Sequence, residues 1–146
     1  MLFGGVCISQ SFKLDKATSQ GWAGGVAGHH GVNYYIELET ASRKIAPDTV
    51  CVNGNVYPIN FSPTNGSYVR TIDSITHQIK YVFSISESHN DFRNLRHPNQ
   101  QNDTAARTHK AIRTFSGAAM ISYTLKHKQH FFIVNSFTRL PQLNYP

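Results

Sequence analysis

A period of two runs through most of this 146-residue chain from Ser11 onward. That is the pattern of strands with one buried and one wet face. In Tyr34-Tyr35-Ile36-Glu37-Leu38-Glu39, Tyr34, Ile36 and Leu38 fall on one face and the two glutamates on the other. Thr49–Val52 and Asn55–Tyr57 are joined by Asn53-Gly54. This pair accepts the positive φ values of a two-residue type I′ turn, so a hairpin is expected there. Pro58 has no amide proton to donate, so it ends that strand or puts it on an edge. Tyr68–Asp73 and Gln78–Ser86 read as a second hairpin across Ser74-Ile75-Thr76-His77, with Ile79, Tyr81, Phe83 and Ile85 sharing a face. A third joins Ala118–Leu125 to His130–Phe137 through Lys126-His127-Lys128-Gln129. About eight such strands predict an all-β fold, an antiparallel β-sandwich or a partly open barrel, since strand pattern does not reveal closure.

Between the second and third hairpins, residues 87–116 form a polar insertion rich in Asn, His, Arg and Gln, too long for a tight connection. Asp103 or Thr104 suits a helix N-cap, and Thr108, Ala111, Ile112 and Phe115 share a helical face. One short helix is therefore expected within Asp103–Phe115. The length suits one domain, read as residues 10–146. Residues 1–9 are an apolar run closing on small residues before Gln10, which reads as a signal-peptide remnant lacking its positive start; an ordinary first strand is the alternative. Cleavage there would leave Cys51 as the lone cysteine, a small buried residue in a strand. No apolar run reaches the roughly 18–20 residues of a membrane span, so an integral helical membrane protein is excluded.

Chemistry-bearing motifs are scarce. Gly21-Trp22-Ala23-Gly24-Gly25-Val26-Ala27-Gly28 lacks the Gly-Lys-Ser/Thr ending of a phosphate loop and an intact G-x-G-x-x-G. It reads instead as a glycine-bearing strand and turn whose missing side chains admit a neighbour, with Trp22 as a core anchor or, less simply, a stacking platform. No G-x-S-x-G elbow marks a nucleophile, and Glu37 with Glu39 reads as a solvated strand face. Nothing proposes an enzyme, and no cofactor is implied. Eight histidines raise the question of metal, but no H-E-x-x-H or His/Cys cluster occurs. His29 and His30 are adjacent and point to opposite faces of a strand, leaving His127 and His130 beside the third turn as the metal candidates. Asn60, Asn65 and Asn102 begin N-x-S/T sequons, which mark exposed loops and matter only in a eukaryotic secretory host.

Charge is more informative. Residues 1–73 carry five basic and five acidic side chains; residues 74–146 carry nine basic and three acidic, the whole of the net +6. Six of the eight histidines lie there too. Such asymmetry is the footprint of a polyanionic partner or, more blandly, of a solvated basic surface. Arg93, Arg96, Arg107, Lys110 and Arg113 in the insertion, with Lys126 and Lys128 in the last hairpin, are the candidate binding residues. Nucleic acid is disfavoured, because the aromatics alternate as core positions instead of interleaving with Arg and Lys.

The phrases Thr18-Ser19-Gln20-Gly21-Trp22-Ala23-Gly24-Gly25 and Leu140-Pro141-Gln142-Leu143-Asn144-Tyr145-Pro146 resemble those of small uncharacterised secreted proteins of Bacteroidetes bacteria. The Ser9-Gln10 boundary is similar to signal-peptide ends in that group. The resemblance implies export and transfers no catalytic residue. The expectation is an exported, non-enzymatic binding module, periplasmic or at the cell surface, whose basic C-terminal half meets an anionic polysaccharide or a protein. Two other readings remain open: a His-rich metal-binding protein or metal-dependent enzyme, and a structural accessory subunit of a larger surface complex.

Overall fold

A computed structural model describes residues 12–25, 27–59, 66–90, 109–110 and 115–146. They form ten strands: β1 (Lys13–Ala23), β2 (His29–Thr40), β3 (Ala46–Val52), β4 (Asn55–Pro58), β5 (Gly66–Ile72), β6 (Ile79–Asn90), β7 (His109–Lys110), β8 (Ala119–Leu125), β9 (Lys128–Val134) and β10 (Thr138–Asn144). Two five-stranded sheets result, ordered β10-β1-β2-β6-β5 and β7-β4-β3-β8-β9. The fold is all-β. No helix among the described residues is long and apolar enough to cross a membrane.

The period-two reading holds along the central strands. Ile36 and Leu38 on β2 and Ile79, Tyr81, Phe83 and Ile85 on β6 are buried, and so are Val50, Val52, Ala119, Ile121, Tyr123 and Val134 from the second sheet. These side chains form one cluster between the sheets, completed by Phe12, whose ring meets Tyr81, Tyr123 and Phe132 edge-on. Edge-to-face contacts favour the positive rim of one ring over the negative face of the next. On the outer face of the first sheet, Glu37 pairs with Lys80 at 2.7 Å and accepts a hydrogen bond from the Tyr35 hydroxyl at 2.9 Å. The Lys80 contact, followed by the Tyr35 hydrogen bond, holds the Glu37 carboxyl below its ordinary range.

All three expected hairpins form, with one difference in turn chemistry. Asn53 (φ 51°) and Gly54 (φ 77°) make the β3–β4 turn as their sequence dictates. The β5–β6 turn is closed by Asp73, whose carboxylate accepts the backbone N–H groups of Ile75 and Thr76, both at 2.8 Å. The third turn is shorter than the four residues expected. Lys128 already pairs with Leu125, so Lys126 (φ 52°) and His127 (φ 65°) alone turn the chain in the left-handed region.

Four further features depart from the sequence reading. Among the described residues the strands number ten rather than about eight, the additions being β7 and β10. His109–Lys110, inside the segment expected to be helical, pairs as a strand with Asn55–Val56, and no helix occurs among the described residues; the remainder of 103–114 lies outside them. Strand β6 continues to Asn90, so Glu87, Ser88 and His89 belong to a strand and not to the insertion. Finally, β10 pairs with β1 in parallel, making the first sheet mixed instead of wholly antiparallel. Residues 135–137 carry the chain from β9 into the other sheet without reversing it, and Phe137 lodges against Tyr34 at 5.2 Å between ring centroids. Pro141 is tolerated in β10 because an edge strand needs donors on one side only. The signal-remnant segment 1–9 lies outside the described residues.

Candidate functional site

Taking as the upper end of the molecule the end that carries the β3–β4 turn, the inward face of the first sheet runs out from under the second sheet there. On β2 and β6 the inward series continues from Ile36/Phe83 through Tyr34/Ile85 to Val32/Glu87 and His30/His89, each a directly opposed pair. Glu87 is thus an acid in a core-facing position, 8% exposed. Three neutral groups of the β3–β4 hairpin donate to it: the Tyr57 hydroxyl at 2.6 Å and the side-chain amides of Asn55 and Asn53 at 3.1 Å each. A buried carboxylate is tolerable when several donors replace its lost water. Burial and then the Glu87 hydrogen bond push the Tyr57 hydroxyl well above its ordinary range, keeping it a donor. Burial, reinforced by the Glu87 charge, also raises Tyr34.

Beside this cluster lies a cleft of about 310 Å³. Ser19 and Gly21 of β1 and Val32 and Tyr34 of β2 line it, together with Arg139, Leu140 and Gln142 of β10. Gly21 leaves its floor open; a Cβ there would sit 4.0 Å from the Gln142 side chain. The walls combine an aromatic ring, a cation, a hydroxyl and an amide, all carried on paired strands. Together they offer a ring face, a positive charge and hydrogen-bonding groups within one cleft. Arg139 is exposed and makes no ion pair with another described residue.

Three of the seven basic candidates from the sequence, Lys110, Lys126 and Lys128, are among the described residues. Lys126 and Lys128 are exposed at the β8–β9 turn, at the lower end of the second sheet. Lys110 lies on β7, paired with Asn55 at the upper end and on the opposite edge of that sheet. Strand β3 between them is seven residues long, or about 20 Å at the usual rise. Arg93, Arg96, Arg107 and Arg113 lie outside the described residues. His127 and His130 are both exposed, and the His130 ring stacks on Tyr123 with centroids 5.4 Å apart. Among the described residues, no group of three His, Cys, Asp or Glu side chains is placed to hold a metal. Cys51 is a buried free thiol, and burial raises its pKa.

Sequence reasoning missed Glu87, Ser19, Tyr34 and Gln142 as site residues. For Glu87 a signal existed: extending the inward series 79, 81, 83, 85 by two reaches it. The glycine cluster behaves as a strand and turn that admits neighbours, and Gly31 opposite it on β2 also takes a close approach. A Cβ on Gly31 would lie 2.6 Å from the Trp22 ring and collide with the backbone oxygen of Glu87. Trp22 is therefore a half-buried ring laid over Gly31 on the outer face, outside the central cluster. Comparison with protein-family models, curated proteins and solved structures returns no match.

Proposed function

We propose that this chain is an exported, non-enzymatic β-sandwich module that binds an anionic polymer of saccharide type, periplasmic or at the cell surface. The observation that supports this reading is the cleft between β10, β1 and β2. Its size suits one or two sugar rings, Tyr34 offers a face for stacking, Ser19 and Gln142 offer hydrogen bonds, and Arg139 offers a guanidinium to a carboxylate or sulfate. Lys126 and Lys128, at the lower end of the second sheet, have no part in this contact.

Retention on a heparin column eluted by a salt gradient tests the reading. Arg139→Glu is expected to lower the eluting salt concentration clearly, whereas reversing Lys126 and Lys128 together changes it little. The opposite ranking would overturn the assignment of the cleft. Release of the mature chain outside the cytoplasm, followed by N-terminal sequencing, tests the export component separately.

A further inference from the structure

We infer that His30 and His89 form a two-imidazole site for a divalent transition-metal ion at the upper end of the first sheet. The inference is independent of the saccharide cleft and rests on a cross-strand pair that the sequence, read locally, does not bring together. His30 and His89 are 59 positions apart, yet they sit directly opposite each other on β2 and β6. Opposed residues of an antiparallel pair project from the same face, so both imidazoles stand over one patch of sheet. Their ring centroids are 5.8 Å apart with planes tilted by 36°. Both residues are exposed, so an ion reaches them from solvent.

Imidazole nitrogens bind zinc at about 2.0–2.1 Å, which puts the two coordinating nitrogens about 3 Å apart across a shared ion. Two imidazoles on one tetrahedral ion place their ring centroids about 5 Å apart, close to the separation of His30 and His89. Glu87 follows on the same face two positions along β6, and its charge favours a cation nearby. Two neutral nitrogen ligands with water in the remaining positions suit Zn²⁺, Ni²⁺ or Cu²⁺, Cu²⁺ binding most tightly of the three. His29, next in sequence to His30, points to the other face and packs edge-on against Trp22, so it is not a ligand of this site.

The test uses the full, untagged chain and CuSO4 as the probe, with ZnSO4 as a second ion. Expected is one tight equivalent by titration calorimetry, with selective paramagnetic broadening of the His30 and His89 ring signals in the unsubstituted protein. His30→Gln and His89→Gln are each expected to weaken that equivalent by at least tenfold, with circular dichroism unchanged. His127→Gln with His130→Gln is expected to leave it intact. Uniform broadening of all histidine signals would overturn the assignment, as would a tight equivalent that survives the double substitution of His30 and His89. The broadening experiment needs no variant, so the inference stays testable if a substitution disturbs folding.

Discussion

Replacing Glu87 with alanine probes how the upper end is held together. The carboxylate accepts from the buried Tyr57 hydroxyl and draws the Asn53 and Asn55 amides onto the same point. A hydrogen bond to a charged partner contributes about 1.5–3 kcal/mol. The Tyr57 contact accounts for roughly 2–3 kcal/mol on that scale. Asn53 at the exposed turn and the half-buried Asn55 beside it regain water at least in part, so together they add about 1 kcal/mol. Removing a buried charge returns part of this, giving a net loss of about 3 kcal/mol for Glu87→Ala. With a urea slope of about 2 kcal/mol per molar, the unfolding midpoint falls by about 1.5 M. Glu87→Gln, which still accepts from Tyr57, is expected to cost less than half as much. A double-mutant cycle with Tyr57→Phe isolates the pair, and a coupling of about 1.5–2 kcal/mol is expected. A coupling near zero, or an alanine variant as stable as the parent, would refute the view that this carboxylate clamps the hairpin to the first sheet.

Other expectations follow from equally local geometry. Lys126→Asn with His127→Gly gives the third turn residues suited to positive φ and should stabilise the chain by about 1 kcal/mol, read as a higher urea midpoint; destabilisation would mean that the turn has another conformation. Gly31→Ala forces a methyl against Trp22 and the Glu87 backbone and should cost about 1–3 kcal/mol with a shift in tryptophan fluorescence, whereas a neutral result would contradict that close approach. Glu37 has a depressed folded-state pKa, so the stability it contributes is present above its unfolded pKa and is lost as pH falls through the folded one. Glu37→Gln should therefore lower the urea midpoint at pH 7, and the gap to the parent should shrink as pH falls below the ordinary carboxylate range; a gap that stays constant as pH falls would rule out the ion pair as its source.

Much of the architecture was legible wherever one rule decided a segment by itself. Tyr34–Glu39 shows a buried face because strand side chains alternate, and Asn53-Gly54 turns because its two residues tolerate positive φ. The third hairpin was legible as a pair of strands but not in its turn. Neither Lys126 nor His127 advertises the left-handed region; the register of Tyr123, Leu125 and Phe132 over the core imposes it on them. Strand β10 escaped notice for a related reason. Thr138–Asn144 is exposed along its length and has no alternation to read, so only its hydrogen bonds to β1 make it a strand.

The candidate sites show the same division. Net charge and its concentration in residues 74–146 belong to the sequence, because counting side chains needs no coordinates. Which charges act together does not, and pairing through β7 and the β8–β9 turn separates Lys110 from Lys126 and Lys128. Glu87 is the sharpest instance. Its polar neighbours Ser86, Ser88 and Asn90 assign it to the insertion, although the inward series of β6 extends to it. It is buried because Tyr57, Asn55 and Asn53, 30 to 34 positions away along the chain, converge on it from the β3–β4 hairpin. Alternation and turn chemistry are properties of neighbours along the chain, so the sequence by itself determined an all-β fold and most of its hairpins. Burial of a charge and pairing of His30 with His89 depend on partners from distant segments, and only the tertiary structure supplies them.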